Sequence, residues 1–196
     1  MQAKLFLYFF RTYQYLFLVL PACLISGIAA AQTSWQPYLA SVSFKIKNAG
    51  LNVTGNFKGF KGQILFDPNA LSSSSLNGSV DVSTINTGIT KRDHHLISDD
   101  YFDAGKYKLI EVHSKHLYKK EDAFAGIFNV TIKDVTKEVE IPFSFTTDGN
   151  NGIFDGSFTI DRRDFGVGGN SFIMGDNVTV SIVVNAKKQP GQVSIK

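Results

Sequence analysis

The chain has 196 residues, a length that suits one domain with a single hydrophobic core. Two of its 20 basic residues precede residue 32 and all 17 acidic residues follow it, so the remainder is nearly neutral. Nucleic-acid-binding proteins carry a strongly basic patch, and we therefore predict no nucleic-acid partner. The single cysteine, Cys23, lies in the first 31 residues, which excludes disulfides and thiol chemistry from the rest of the chain.

Residues 1–31 have the features of a secretory signal peptide. Lys4 and Arg11 are their only charged residues, an apolar run follows from Leu16 to Ile28, and the segment ends in three alanines. A basic start, an apolar stretch and small residues before the cleavage site are typical of such signals. We predict cleavage after Ala31, which makes the protein periplasmic or secreted.

Two alternatives to a cleaved signal peptide stay open. Leu16–Ala31 is shorter than the roughly 20 residues that a membrane-spanning helix needs, but Leu5–Phe10 is also apolar, so an uncleaved anchor interrupted by Arg11 is one alternative. The other is a lipoprotein, because Leu20-Pro21-Ala22-Cys23 loosely resembles a lipidation motif. If the signal is cleaved, we expect no stable membrane span in the mature chain.

From residue 35 onward, apolar residues alternate with polar ones at a period of two. Residues two apart share one face of a β-strand, so each alternating segment has an apolar and a polar face. Turn-forming Asn, Asp, Gly and Pro residues separate the segments. The pattern predicts about eight antiparallel strands with short connections, and it is clearest over residues 42–47, 128–133, 138–145, 154–160 and 177–185.

The apolar strand faces must be buried against other elements. No segment is predicted to form a long amphipathic helix that would cover a sheet, so the faces must meet each other in a closed barrel or in two stacked sheets. The segment from Ile89 to Lys108 breaks the alternation and predicts a helical turn and a loop. We expect Leu96, Tyr101 and Phe102 to pack this segment over one end of the barrel.

Several short motifs occur together in a specific order and spacing. They are Asn86-Thr87-Gly88, Arg92-Asp93-x-His95-Leu96, Phe102-Asp103 and, between two predicted strands, Asp134-Val135-Thr136-Lys137. With their surroundings they resemble the YceI-like polyisoprenoid-binding family over residues 41–186. The chain departs from the family pattern at Asp134, where a glycine is frequent.

The resemblance implies an all-β fold, an eight-stranded antiparallel lipocalin-like barrel with a short helical and loop segment over one end. We assign this barrel to residues 32–188 and predict a flexible tail at 189–196, which is polar and contains Pro190 and Gly191. The resemblance also implies export to the periplasm and an isoprenoid or similar long-chain lipid in the lumen. It implies no established reaction.

Fourteen residues are predicted to point into the barrel. The alternation alone favours a dry packed core, although Gly126 and Gly156 fall on the inward phase and leave room near the axis; the resemblance favours a ligand tunnel. We expect no cofactor other than a bound isoprenoid or other long-chain lipid. The predicted lumen residues are Phe44, Ile46, Phe57, Phe66, Val82, Val112, Phe128, Val130, Ile141, Phe143, Phe158, Ile160, Val180 and Ile182.

Arg92, Asp93, His95 and Arg162 are candidates for contacting a lipid head group at one mouth of the barrel. The alternatives for these residues are structural ion pairs and loop capping, or a metal or catalytic site. The adjacent side chains of His94 and His95 diverge and make a poor chelate, and the chain has no G-x-S-x-G motif. We therefore predict no catalytic residue and no metal site.

The sequence thus predicts an exported, non-enzymatic binding protein for a long apolar lipid, such as an isoprenoid quinone or a polyprenyl-like chain. Carriage, storage and protection of the lipid remain open as its purpose. One alternative is a packed barrel that acts as a stress-related interaction module. Another is an enzyme that acts on a lipid-like substrate, and a homodimer is also left open.

Overall fold

The computed structural model describes residues 32–190. The predicted signal peptide at 1–31 and the tail residues 191–196 lie outside the described residues. The described part contains one short α-helix, three 3-10 turns and nine strands. The α-helix and strands are β1 Ser34–Asn48, β2 Leu51–Phe57, β3 Lys61–Leu65, β4 Ser75–Asp81, α1 Thr90–Leu96, β5 Leu109–Lys120, β6 Ala123–Ile132, β7 Val135–Thr147, β8 Asn151–Asp161 and β9 Met174–Lys188.

The strands form one closed antiparallel barrel. From β3 to β9 each strand pairs with the next in the chain, and β9 pairs with β1. The other edge of β1 pairs with β2 over residues 42–48 and with β3 over residues 34–35. Because β2 and β3 follow the same edge of β1, they share one position in the wall. The predicted eight-stranded, lipocalin-like barrel is confirmed.

The interruption between β2 and β3 brings Phe60 into the barrel. Gly59 has a positive φ of 69°, which suits glycine and lets the chain bend away from β1. A Cβ on Gly62 or Gly78 would lie 2.8 or 2.9 Å from the Phe60 ring. The two glycines, which pair across β3 and β4, therefore make the space that the ring occupies.

Aromatic side chains close one end of the barrel around Phe66. Phe66 is fully buried, and Trp35 Nε1 donates a hydrogen bond of 2.9 Å to its carbonyl oxygen. Ring centroids lie 5.0–5.8 Å from that of Phe66, in mostly edge-on arrangements, for Phe124, Phe143, Phe145 and Phe154. The prediction of Phe66 as a lumen residue is therefore wrong, because four rings enclose it completely.

Val82 is also buried without lining a cavity. Asp81 ends β4, and its carboxylate accepts a hydrogen bond from the N–H of Ser83, which caps a 3-10 turn over Val82–Thr84. The N–H of Val82 donates to the carbonyl of Lys108 at 2.9 Å. The turn directs this side chain, which is 1 % exposed, into packed protein, so its prediction as a lumen residue is corrected.

Helix α1 and the loop that follows cover the opposite end, as predicted. Leu96, Tyr101 and Phe102 all line the space beneath this segment. The carbonyl of Asp100 accepts a hydrogen bond of 3.2 Å from the N–H of Gly168, which joins the segment to the loop between β8 and β9. The end of the barrel near α1 is called the helix end below.

Replacing Phe66 with alanine should destabilise the barrel by about 3–5 kcal/mol, because the deletion leaves a cavity among four rings. The measurement is the free energy of unfolding in urea. As the control, Phe172→Ala removes an exposed ring and should change that free energy by less than about 0.5 kcal/mol. Equal effects of the two substitutions would contradict the assignment of Phe66 to the closed end.

Candidate functional site

The barrel interior holds two adjoining cavities. The first lies in the middle of the barrel and has a volume of about 150 Å³. The second lies beneath α1 at the helix end and has a volume of about 130 Å³. Phe57, Ile110 and Ile160 line both cavities and therefore form the boundary between them.

Twelve of the fourteen predicted lumen residues line these cavities. Phe44 and Ile46 line the second, because β1 turns its inward face towards α1 near its end. Phe57 and Ile160 line both. The others line the first cavity: Val112, Phe128, Val130, Ile141, Phe143, Phe158, Val180 and Ile182. The lining is almost entirely apolar, which suits an apolar occupant.

Several lining residues were missing from the predicted set. Some of them belong to the alternating segments and share the inward phase, so the period-two pattern contained the signal for Val42, Ile132, Phe154, Val178 and Val184. The other apolar lining residues lie in strands that alternate less clearly, or outside strands: Val53, Phe60, Ile64, Leu76, Val80, Ile85, Leu96, Tyr101, Phe102, Ile110, Val167 and Met174.

The two inward glycines have different surroundings. A Cβ on Gly126 would lie 2.5 Å from the Leu117 side chain and 2.8 Å from the Phe128 ring, so its space is already occupied. The expectation that Gly126 leaves room is therefore wrong. Gly156 lines the first cavity, and the atoms nearest to a Cβ there are Pro142 O at 3.2 Å and Phe143 Cβ at 3.3 Å. A Cβ at Gly156 would therefore require its neighbours to move slightly, and a longer side chain there would extend into the first cavity.

A network of hydrogen bonds at the helix end joins Thr87, Arg92 and Asp93. The Asp93 carboxylate accepts from the N–H and the hydroxyl of Thr87. Arg92 donates from Nε to Thr87 Oγ1 at 2.7 Å and from Nη2 to Thr87 O at 2.8 Å. Arg92 is half-buried and lines the second cavity. Its Nη1 has no protein acceptor within residues 32–190.

Arg162 also lines the second cavity, but its donors are engaged. The side chain is 4 % exposed, and Nε donates to Gly175 O at 3.0 Å. Nη1 donates to Val167 O and Gly169 O, both at 2.7 Å, and Nη2 donates to Asp176 Oδ1 at 2.9 Å. Arg162 thus fixes the loop before β9. The prediction that it binds a head group is corrected, because each guanidinium nitrogen has a protein acceptor.

The histidines of α1 do not line either cavity. His95 is exposed, and its ring packs edge-on against Tyr101 at a centroid distance of 4.7 Å. Asp93 does not line the second cavity either, and its carboxylate accepts a hydrogen bond from the N–H of Thr87. Across the described residues, no three His, Cys, Asp or Glu side chains group together as metal ligands. No helix in residues 32–190 is long and apolar enough to cross a membrane.

The match to known proteins decides the family. The family model of the YceI-like domain matches residues 34–186, from the start of β1 to two residues before the end of β9. The chain belongs to the YceI-like family. A UPF0312 protein from Vibrio campbellii is 32% identical over 114 residues, which are 57% of this chain and 60% of that protein. The chain thus spans about 60% of the length of this relative.

Solved structures share the barrel of this YceI-like domain. BcnA from Burkholderia cenocepacia superposes with a TM-score of 0.72 and 26% identity, over 75% of this chain and 96% of that one. A polyisoprenoid binding domain from Saccharophagus degradans superposes with a TM-score of 0.63 over 81% of this chain and 99% of that one. The identity to the second is 13%, so that likeness shows the fold alone.

Arg162→Met should lower the free energy of unfolding by about 3–5 kcal/mol, since it leaves buried carbonyls and Asp176 without their partner. The neighbouring Arg163 is a matched control, because it pairs with Asp161 and Asp176 but its side chain is 48% exposed. Hydrogen bonds from Arg163 lower the pKa of the Asp161 carboxyl. Arg163→Met should leave the free energy of unfolding close to that of the wild-type protein, because solvent screens exposed ion pairs. Urea unfolding of both variants measures the difference, and similar losses would refute the structural role of Arg162.

Proposed function

We propose that this protein binds a long apolar lipid, such as an isoprenoid quinone or a polyprenyl-like chain, inside the barrel, without acting on it chemically. The observation that carries the proposal is the pair of adjoining apolar cavities within a closed wall. Their common boundary at Phe57, Ile110 and Ile160 gives the lumen an elongated form. The polyisoprenoid binding domain from Saccharophagus degradans has the same fold and supports this choice of ligand class.

The size and lining of the cavities favour an apolar chain over water. An apolar cavity of ~150 Å³ in another protein stays dry and takes up benzene, because water finds no hydrogen-bond partners there. Each cavity here has about the volume of that example. A long thin molecule that extends through both would use the whole space, whereas a compact molecule would occupy one.

The affinity would come from the burial of apolar surface. Each methylene group that leaves water contributes about 0.8 kcal/mol. Ordering a flexible chain opposes binding, and so does the loss of translational freedom. A ligand with many methylene or isoprene groups offsets these terms best, which favours long lipids over short ones.

The lining supports binding rather than catalysis. Neither cavity is lined by a histidine or a cysteine, and the donors of Arg162 are held by protein acceptors. A nucleophile needs an adjacent base within hydrogen-bonding reach. His95, the base that an enzymatic mechanism would use, lies on the exposed side of α1 against Tyr101.

Gly156→Leu should abolish lipid binding, because the new side chain extends into the first cavity from the middle of β8. The Cβ contacts of 3.2 and 3.3 Å require only a small adjustment of the wall, so folding should persist. The measurement is mass spectrometry of lipid extracted from natively purified protein. Wild-type protein is expected to yield a long-chain lipid, and the variant is expected to yield little.

Ser157→Leu is the matched control for Gly156→Leu, because Ser157 is the next residue of β8 and faces outward. It should retain the lipid. If the wild-type protein yields no lipid and binds no fluorescent apolar dye, the proposal fails and a packed interaction module becomes the better account. Thermal unfolding of each protein separates lost binding from lost folding.

We also propose that the protein is exported and that residues 1–31 are removed. Expressed as the full chain in a Gram-negative bacterium, the protein should appear in the periplasmic fraction. Its intact mass should correspond to a chain that begins at Gln32. A mass that includes residues 1–31 would indicate a retained anchor, and a lipid-modified chain that begins at Cys23 would indicate a lipoprotein. Either result would overturn this proposal.

A further inference from the structure

Three large apolar side chains are exposed together at the helix end of the barrel. Phe172 is fully exposed, and Leu51 and Ile173 are 72% and 67% exposed. None of the three lines either cavity. Single exposed apolar residues are common on protein surfaces, whereas a group of large ones indicates a contact surface. These three side chains are called the apolar tip below.

The apolar tip combines the turn between β1 and β2 with the loop before β9. Asn48, the last residue of β1, pairs with Leu51 on one side and with Met174 on the other. The N–H of Ala49 donates a hydrogen bond of 2.7 Å to the carbonyl of Ile173. Backbone contacts thus join the two segments and bring Leu51 and Ile173 to the same part of the surface.

Hydrogen bonds anchor the loop that carries Phe172. Ser171 Oγ accepts from the N–H groups of the second and third residues after it, at 3.4 and 3.1 Å. Arg162 donates to carbonyls at both ends of this stretch, those of Gly169 and Gly175, at 2.7 and 3.0 Å. Phe172 therefore projects from an anchored loop.

Two lysines lie on the outer face of β1 behind the apolar tip. Lys45 and Lys47 are exposed and alternate with inward residues of the strand. Lys47 pairs with Asn52, the residue that follows Leu51. Within residues 32–190 neither lysine forms an ion pair. Their charges are therefore available to an anionic partner.

Acidic side chains do not cancel these charges on the β1 side of the tip. Asp176, the first acidic residue of β9, contacts Arg162 Nη2 at 2.9 Å and Arg163 Nη2 at 3.2 Å. The exposed Asp99 and Asp100 lie in the loop that follows α1, on the other side of the loop before β9. The surface directly behind the tip is therefore basic along β1.

We propose that the apolar tip inserts into the surface of a lipid bilayer that contains anionic lipids, and that Lys45 and Lys47 bind the lipid head groups. Apolar side chains such as Phe and Leu beside lysines are typical of protein segments that lie in the membrane interface. The long stem of a lysine lies along apolar surface while its charged end reaches the polar layer. The contact is peripheral and goes beyond the proposed function, because it does not require a lipid inside the barrel.

Two features favour a bilayer over a second copy of the chain. In a two-fold dimer the same patch meets itself, which would bring four unpaired lysines together. An anionic bilayer attracts lysines instead. The tip also borders the lumen, because Asn48 and Met174, which pair directly behind it, line the second cavity. Docking of the tip would therefore place this cavity beside a membrane.

The first test measures sedimentation of natively purified protein with vesicles of phosphatidylcholine, with and without phosphatidylglycerol. Wild-type protein should bind the anionic vesicles roughly tenfold more tightly, because each lysine near an anionic surface strengthens binding about fivefold. Added salt should reduce this difference, since it screens exposed charges. Equal binding to both kinds of vesicle would contradict the role of the lysines.

Leu51→Ala and Phe172→Ala should each weaken vesicle binding roughly tenfold, because each removes a large apolar side chain from the contact. Leu39→Ala is the matched control, since Leu39 is similarly exposed but lies in the half of β1 nearest the closed end. It should bind vesicles like the wild-type protein. Circular dichroism should show all three variants folded.

Lys45→Gln/Lys47→Gln should remove the preference for phosphatidylglycerol. The matched control is Lys119→Gln/Lys188→Gln, which also removes two exposed lysines but at the closed end, where they pair with Phe124 and Trp35. The control should keep the preference. A similar loss in both double variants would show a general effect of net charge and would overturn the inference.

The second test places a fluorescent reporter in the apolar tip by Phe172→Trp. Vesicles with brominated acyl chains should quench the emission of this variant. Trp35, the only tryptophan in the sequence, is buried at the closed end and provides the control. Its emission in the wild-type protein should not be quenched. Absence of additional quenching in the variant would show that the tip does not enter the bilayer.

The outcomes separate this inference from the proposed function. Gly156→Leu changes the interior and should bind vesicles like the wild-type protein, so a failure of lipid binding in the lumen would leave bilayer docking in place. If wild-type protein binds no vesicles, the docking inference is wrong and lipid binding in the lumen stands or falls by its own test. A wild-type dimer that Phe172→Ala dissociates in analytical ultracentrifugation would assign the tip to a contact between copies and would also overturn the inference.

Discussion

The interior of this protein depends on the pairing of β1 along both of its edges. β9 occupies one edge over nearly the full length of β1, and β2 and β3 divide the other. The sheet is therefore closed, and its inward side chains face each other across a width that the number of strands sets. At that width large aromatic side chains fill the space only where several of them converge. They converge around Phe66, whereas the rings, valines and isoleucines farther along the barrel leave the two cavities between them.

The division of the lumen follows from where rings enter it. Phe57 lies between Phe44 and Phe102, with centroid distances of 5.6 and 6.1 Å, and forms the boundary between the cavities together with two isoleucines. Phe60 enters through the interruption of the wall and packs on Gly62 and Gly78. The same local features thus shape the wall and the space that a ligand would occupy. Replacing Phe57 or Phe60 would therefore alter both the packing of the barrel wall and the volume of the cavities.

Two arginines border the second cavity and differ in what surrounds them. Arg162 is enclosed by the loop before β9, whose carbonyls take its donors, so its charge supports the fold. Arg92, on α1, is half-buried, and its Nε and Nη2 donate to the hydroxyl and the carbonyl of a single residue, Thr87. The two arginines thus differ in the number of protein acceptors that they engage: Arg162 holds the loop before β9, and Arg92 joins α1 to Thr87.

The sequence by itself determined the strands, their inward faces and the covering segment at Leu96, because alternation records which face of a strand is apolar. It did not determine which inward positions are filled. Phe66 and Gly126 were predicted from their own strands, but rings and side chains from strands distant in the sequence occupy the space around them. Asn48 continued the inward phase of β1 and was overlooked because it is polar. Tertiary structure decided these points, since the filling of a cavity and the pairing of a buried polar atom depend on neighbours that only closure of the barrel brings together.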